Sequence, residues 1–295
     1  MQEMVWLSNS ALSDGRLDGR LVPAAEASVP IGDRGLLFGD GVYEVYRLYG
    51  GRSFRRAQHL ARFARSAAAI HLELPAIDWD AVEAALLEAN GLRTADAVIY
   101  AQATRGAAAT RLHAFPTAAA PMVFVTARPL TPLPEALQQA GAAAIIRPDQ
   151  RWGRVDIKSI NLLPNVLAAQ EAAEAGAFEA LLVRDGVFTE GTRTNLFAVI
   201  DGNLRTHPEG TLILPGITRT AVLEAAQAAG VVADELAVGV NELRQVRELF
   251  VCGTTTEVLA VTRLEGRAVG DGRIGPVTAR VADALRKLVL RETGR

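Results

Sequence analysis

Three glycine turns constrain this 295-residue chain more than any other feature. Residues 41–49 alternate Val42, Glu44, Tyr46 and Leu48 on one side with Tyr43, Val45, Arg47 and Tyr49 on the other, and Gly50-Gly51 then turns the chain back toward Phe54. Asp185-Gly186 follows residues 181–184, and Asp201-Gly202 follows residues 196–200. Two-residue loops of this kind need positive φ, which glycine and aspartate tolerate, and they join antiparallel strands. Residues 98–104 and 122–126 read as further strands.

Helical signals are interspersed among these strands. Leu60, Phe63, Ala64 and Ala67 carry a helix after Gln58, and Asp78 caps a second that stops at Gly91. Further helices span residues 164–175, open at Gly216 and close at Gly230, and end the chain around Val281, Ala284, Leu285 and Leu288. The expected class is α+β, with two domains of mainly antiparallel sheet and a small-molecule site in the cleft between them. The Pro-dense stretch 128–134 marks the break. The expected division is a smaller domain over residues 1–127, a linker over 128–136 and a larger domain over 137–295 that carries Lys158.

Composition excludes several classes. Formal net charge is −2 and no basic block exceeds a pair such as Arg55-Arg56, so neither nucleic acid nor an anionic membrane surface is expected as a partner. Residues 1–10 lack the pattern of a leader peptide, and apolar runs are cut well before membrane-spanning length. The single cysteine, Cys252, rules out an internal disulfide and fits a reducing cytoplasm.

Lysine is almost absent. Of 31 basic residues only Lys158 and Lys287 are lysine, leaving 29 arginines. Solvated salt-bridge positions accept either residue, so a surviving lysine points to chemistry a guanidinium cannot do, above all a deprotonatable amine that attacks a carbonyl. Lys287 falls on the charged side of the C-terminal helix, where solvation explains it. Lys158 lies in Val155-Asp156-Ile157-Lys158-Ser159-Ile160, apolar and without a helical stripe. A snorkelling surface lysine is the competing reading.

Two segments suit an anion. Pro215-Gly216-Ile217-Thr218-Arg219 opens a helix whose first-turn amides and dipole favour a phosphate, with Gly216 allowing close approach. Cys252-Gly253-Thr254-Thr255-Thr256 sets hydroxyls beside a glycine at a strand end. A plain capped helix start and a Thr-rich strand continuation are the bland alternatives. Glu190, among apolar strand residues, needs a partner, either a protonated ring nitrogen or an arginine. Arg111 and His113 can face one carboxylate together, or both be solvated. His59, His71 and His207 lack metal-ligand spacing and read as structural, and no GxSxG, HExxH, CxxC, Walker or dinucleotide motif occurs.

Together these residues resemble the fold-type IV pyridoxal-phosphate (PLP) enzymes, and within them the D-amino-acid aminotransferases. The likeness runs from Asp33-Arg34-Gly35 to about Thr262 through Phe38-Gly39-Asp40-Gly41-Val42-Tyr43-Glu44, Thr104-Arg105-Gly106, Asp156-Ile157-Lys158-Ser159, Thr189-Glu190-Gly191, Gly216-Ile217-Thr218-Arg219 and Gly253-Thr254-Thr255. The resemblance implies that Lys158 forms a Schiff base with pyridoxal 5'-phosphate and moves the substrate proton. It implies that Glu190 pairs with the pyridine nitrogen, that Arg62 and the turns at Ile217, Thr218, Thr254 and Thr255 hold the phosphate, and that Thr194 also touches the cofactor. Tyr43, Arg111 and His113 would receive the substrate carboxylate, the last two from the partner of a homodimer. The segment between Arg105 and Arg111 is one residue longer than the D-specific pattern, and Arg193 stands in place of a small residue.

The implied activity is a transaminase that passes an amino group from a D-amino acid such as D-alanine to a 2-oxo acid such as 2-oxoglutarate. Branched-chain or (R)-amine transamination, aminodeoxychorismate lyase chemistry and a non-catalytic PLP carrier are the alternatives. Leu163, five residues after Lys158 where branched-chain enzymes usually carry tyrosine, speaks against the first.

Overall fold

A computed structural model describes residues 2–8, 18–117 and 119–295. Met1, Asn9 and Ser10 of the stretch read for a leader lie outside those residues. The chain divides into two compact units, one of Met1–Leu130 with Ile157–Asn161, the other of Thr131–Asp156 with Leu162–Arg295. The division at Leu130 falls inside the Pro-dense stretch.

The first unit is a six-stranded sheet in the order β2-β1-β6-β5-β3-β4, antiparallel at every pairing. Its strands are β1 (Met4–Ser8), β2 (Arg20–Pro23), β3 (Gly41–Tyr49), β4 (Arg52–Ser53), β5 (Ala97–Thr104) and β6 (Met122–Pro129). Three helices accompany them, α1 (Arg34–Phe38), α2 (Arg56–Ala69) and α3 (Trp79–Ala89), the last capped by the Asp78 side chain on the Ala81 amide. The alternation read in β3 holds. Val42, Glu44, Tyr46 and Leu48 are buried, and Phe63 of α2, Leu86 of α3 and Ile99 of β5 share the core with the three apolar members of that row.

The segment Ile157–Asn161 belongs to this first unit, whereas the sequence placed Lys158 in the second domain. Its backbone runs beside β3. Tyr43 N donates to Lys158 O at 3.0 Å, Ile160 N to Gly41 O at 3.1 Å, and Ser159 bridges Val42. Ile157 follows Arg151 closely in the chain, and nothing in the polarity of the residues between them signals a return to the first sheet.

The second unit has a nine-stranded sheet in the order β12-β11-β10-β13-β14-β7-β8-β9, with β15 on β14. The strands are β7 (Ala142–Pro148), β8 (Glu179–Arg184), β9 (Val187–Gly191), β10 (Asn195–Ile200), β11 (Asn203–Arg205), β12 (Ala233–Asp234), β13 (Val246–Gly253), β14 (Glu257–Leu264) and β15 (Arg267–Ala268). The hairpins at Asp185-Gly186 and Asp201-Gly202 form as expected, but β7 pairs in parallel with β8 and β14, and β11 with β12. The parallel β7–β8 pair needs a crossover, and α5 (Leu163–Glu174) supplies it. The helices α4 (Glu135–Ala140), α6 (Ile217–Ala228) and α7 (Pro276–Thr293) complete the unit. Lys287 lies exposed on α7 with its ammonium 2.8 Å from Asp283. Among the described residues no helix is long and apolar enough to cross a membrane.

Two of the turn glycines separate two costs. Gly51 has φ +80°, and a Cβ there would lie 1.8 Å from the Arg93 carbonyl oxygen, whereas Gly186 has φ +77° with open space around it. Gly186→Ala should therefore lose only about 1–2 kcal/mol for its left-handed backbone. Gly51→Ala should lose clearly more, because backbone must also move. Equal shifts in thermal unfolding for the two variants would contradict this account.

Candidate active site

Period-two alternation puts Glu44 on the core face of β3, fully buried. An isolated carboxylate there would be prohibitively costly, and α2 supplies the answer with two residues three apart on one helical face. Arg62 donates from Nε to Oε2 at 2.9 Å and from Nη2 to Oε1 at 2.7 Å, while His59 Nδ1 lies 3.0 Å from Oε1. Burial alone would raise the Glu44 pKa, but Arg62, His59 and the nearby Lys158 charge hold it far below the usual carboxylate range. Burial pushes His59 below its ordinary value. Tyr43 faces the other way, stacked on Tyr100, and the Lys158 ammonium lies 4.3 Å from the centre of the Tyr43 ring. Ser66 Oγ accepts from the Lys158 amide at 3.1 Å. The first unit thus gathers Lys158, Tyr43, Glu44, His59 and Arg62.

Arg111 and His113 are also brought together. Both are exposed and both flank Phe38 of α1: the Arg111 guanidinium carbon is 4.8 Å from the ring centre, and the His113 ring meets it edge-on at 5.4 Å. Arg111 pairs with no carboxylate among the described residues.

In the second unit Glu190 is buried on β9. The arginine that the sequence left unnamed is Arg151, whose Nη1 donates to Glu190 Oε1 while Nε and Nη2 hold Asp149 at 2.9 and 2.8 Å. Asn195 Nδ2 donates to Glu190 Oε2 at 2.8 Å, and the Leu214 amide is 3.2 Å from both carboxylate oxygens. Burial pushes the Glu190 carboxyl up to about 7 against the pull of Arg151. Of the two partners the sequence offers Glu190, the arginine is therefore in place.

The turns need one revision. A Cβ at Gly216 would lie 2.0 Å from Asn195 Oδ1, so the close approach allowed there is made by Asn195. At Gly253 a Cβ would find its nearest neighbour at an ordinary 3.5 Å. The first turn of α6 has no side-chain cap on its amides, which leaves Ile217 and Thr218 pointing donors outward. No described residue engages the hydroxyls of Thr218, Thr254 or Thr255. The Thr194 hydroxyl instead donates to the buried Glu179 at 2.9 Å, as do the amide and hydroxyl of Thr192 at 3.0 and 2.5 Å. Arg193 is exposed, its guanidinium 5.1 Å from the Phe178 ring centre.

The first unit thus offers a primary amine, and the second, taken by itself, offers uncapped helix amides with unengaged hydroxyls and a buried carboxylate. Comparison gives the chain its family. The model of the amino-transferase class IV family matches residues 41–264, and the chain belongs to this family of aminotransferases, which use PLP. It is 43% identical over 280 residues to the D-alanine aminotransferase of Bacillus licheniformis, covering 94% of this chain and 98% of that one. The D-alanine aminotransferase of Staphylococcus aureus (strain MSSA476) is 38% identical over 275 residues, covering 92% and 96%. Among solved structures, the branched-chain amino acid aminotransferase of Escherichia coli superposes with TM-score 0.86 at 27% identity, covering 99% of this chain and 96% of that one. The branched-chain aminotransferase of Thermoproteus uzoniensis with norvaline gives 0.83 at 29% identity, again covering 99% and 96%. The α+β class, the enzyme class and the cofactor expected from the sequence hold.

The Glu190 environment carries a pH signature. Folding raises this carboxyl from 4.5 to about 7, so its ionisation disfavours the folded state. In cofactor-free protein that cost is absent below pH 4.5, grows as pH rises and is complete above 7. Difference infrared spectra taken on either side of about pH 7 should show a protonated carboxyl band that Glu190→Gln removes. A spectrum with no such band would mean that Arg151 keeps Glu190 ionised throughout.

Proposed function

We propose that this aminotransferase takes the amino group of a D-amino acid such as D-alanine and gives it to a 2-oxo acid such as 2-oxoglutarate. The observation that carries the reading is Lys158, one of two lysines in the chain and the one held along β3 above Tyr43. Kinship with the D-alanine aminotransferases and the pairing of Arg111 with His113 on Phe38 support the D-selective form.

PLP, when bound, supplies the electron sink that makes an α-proton removable. The chain's own residues do the rest. The Lys158 amine holds the cofactor covalently and carries the proton between the α-carbon and the cofactor. Glu190, braced by Arg151 and Asn195, keeps a proton on the ring nitrogen. Ile217, Thr218, Thr254 and Thr255 hold the phosphate, with Arg62 as countercharge. Tyr43, Arg111 and His113 anchor the substrate carboxylate and so decide which hydrogen of the α-carbon faces Lys158. Thr194 acts through Glu179, fixing the strand connection that carries Asn195.

The working unit in this reading is a homodimer in the cytoplasm. Val29, Ile31, Leu36, Leu112 and Phe115 are large apolar side chains left exposed on the first unit, Ile31 at 86%. They lie on two segments tied together by Ala108 N to Gly32 O and by the Asp33–Ala107 bridge. Apolar residues concentrated in this way mark a surface that a second copy covers. Cys252, buried and free, fits a reducing compartment.

Borohydride treatment of the loaded enzyme, followed by peptide mapping, should fix the cofactor on Lys158. Lys158→Arg should lose both label and turnover, and label on Lys287 would overturn the assignment. Charge-assisted hydrogen bonds contribute about 1.5–3 kcal/mol each, so Arg111→Ala should lower kcat/KM for D-alanine roughly ten- to a hundredfold. It should cost far less with (R)-1-phenylethylamine, which has no carboxylate. Equal losses on the two substrates would remove Arg111 from the anchor.

A further inference from the structure

We infer that Arg34 is the positioning residue of the carboxylate anchor, because its guanidinium fixes the loop that presents Arg111 and His113. The inference rests on the anchoring role just proposed for those two residues.

Arg34 is a charged side chain almost wholly buried at the start of α1. Its Nη1 donates to the Leu112 carbonyl at 2.6 Å and to the Ala114 carbonyl at 3.3 Å, and its Nη2 to the His113 carbonyl at 3.0 Å. One guanidinium thus gathers three consecutive carbonyls of a segment with no regular secondary structure. Among the described residues, the only backbone bond from an amide within residues 111–115 is Leu112 N to Thr110 O. The remaining donor, Nε, reaches Asp40 Oδ2 at 2.7 Å. All three guanidinium nitrogens are therefore used inside the protein, so Arg34 does not bind substrate itself.

Its own position is fixed from several sides. Asp33 caps α1 through the Gly35 amide and accepts from the Thr104 hydroxyl at 2.7 Å, and Arg34 N donates to Gly106 O. Asp40 is also held by Arg105, from Nε at 2.8 Å and Nη2 at 2.9 Å. The Phe38 ring that Arg111 and His113 flank is itself 4.8 Å from the Arg34 guanidinium carbon. Backbone and ring contacts of the anchor therefore converge on Arg34. Only a planar fork can serve three carbonyls and a carboxylate together, and an ammonium on a lysine stem cannot.

The test is a double-mutant cycle on holoenzyme, with D-alanine kinetics and the rate at which hydroxylamine, which lacks a carboxylate, releases the cofactor. Arg34→Lys should raise KM for D-alanine on the order of tenfold with kcat changed far less, the pattern of lost substrate binding. The hydroxylamine rate and the bound-cofactor spectrum should stay close to wild type. Residues acting through one another are non-additive, so the loss in Arg34→Lys combined with Arg111→Ala should be clearly smaller than the sum of the two single losses, the remainder being the share carried by His113. Additive losses, or a parallel fall in the hydroxylamine rate, would show a merely structural role and overturn the proposal. If Arg111→Ala alone leaves D-alanine kinetics intact, the anchor reading fails first and this inference with it. Should Arg34→Lys not yield holoenzyme, Asp40→Asn keeps the fork but removes the negative charge and one of the two acceptor oxygens that hold it, and it is read by the same criteria.

Discussion

The Glu44 carboxylate, set into the apolar face of β3, is the interaction on which the first unit's cluster around Lys158 depends. Removing one partner of such a buried pair costs about 3–5 kcal/mol, because the remaining charge stays in the core. Glu44 therefore obliges α2 to present Arg62 and His59 at one height above β3. That docking fixes Ser66, one turn further along α2, where it receives the Lys158 amide. Lys158 in turn lies along β3, so Tyr43 on the opposite side of the strand is set against its ammonium by the same alternation that buries Glu44.

The second unit solves a similar problem with a different result. Glu190 is buried like Glu44, yet burial leaves its carboxyl near neutrality whereas Glu44 is held far below. The difference lies in how the cations are shared. Arg62 gives Glu44 a bidentate fork, while Arg151 divides its donors between Glu190, Asp149 and Thr189. A carboxylate so incompletely neutralised gains from a further positive charge, which is the service a ring nitrogen's proton provides in the proposed reaction.

Much of this was legible in the sequence. The turns at Gly50-Gly51, Asp185-Gly186 and Asp201-Gly202 announced the hairpins, and the scarcity of lysine singled out Lys158. Other features were hidden for identifiable reasons. Parallel pairing of β7 leaves no turn signature, so the mixed sheet of the second unit was unreadable. The place of Lys158 in the first unit is hidden because strand partnership with β3 is a long-range choice. Arg151 looked like one more of 29 arginines. Glu44 was the missed opportunity, since a carboxylate in an otherwise apolar row, followed by His59 and Arg62 three apart, signals a buried ion cluster from the residue pattern alone. The motifs Asp33-Arg34-Gly35 and Thr104-Arg105-Gly106, which the resemblance supplied without a reason, are two halves of one network closed by Asp40 and the Asp33–Thr104 bond.

Handedness is the central claim, because amino transfer and PLP follow from family membership while D-selectivity depends on where the carboxylate is anchored. The most direct measurement is initial-rate kcat/KM with 2-oxoglutarate as acceptor, taken for D-alanine and L-alanine and for D- and L-leucine under one set of conditions. The D-enantiomer should be favoured in both pairs by on the order of a hundredfold or more, as expected where a charged contact is lost from the site. A preference for L-leucine over D-alanine would contradict this and move the chain to the branched-chain chemistry of its structural neighbours.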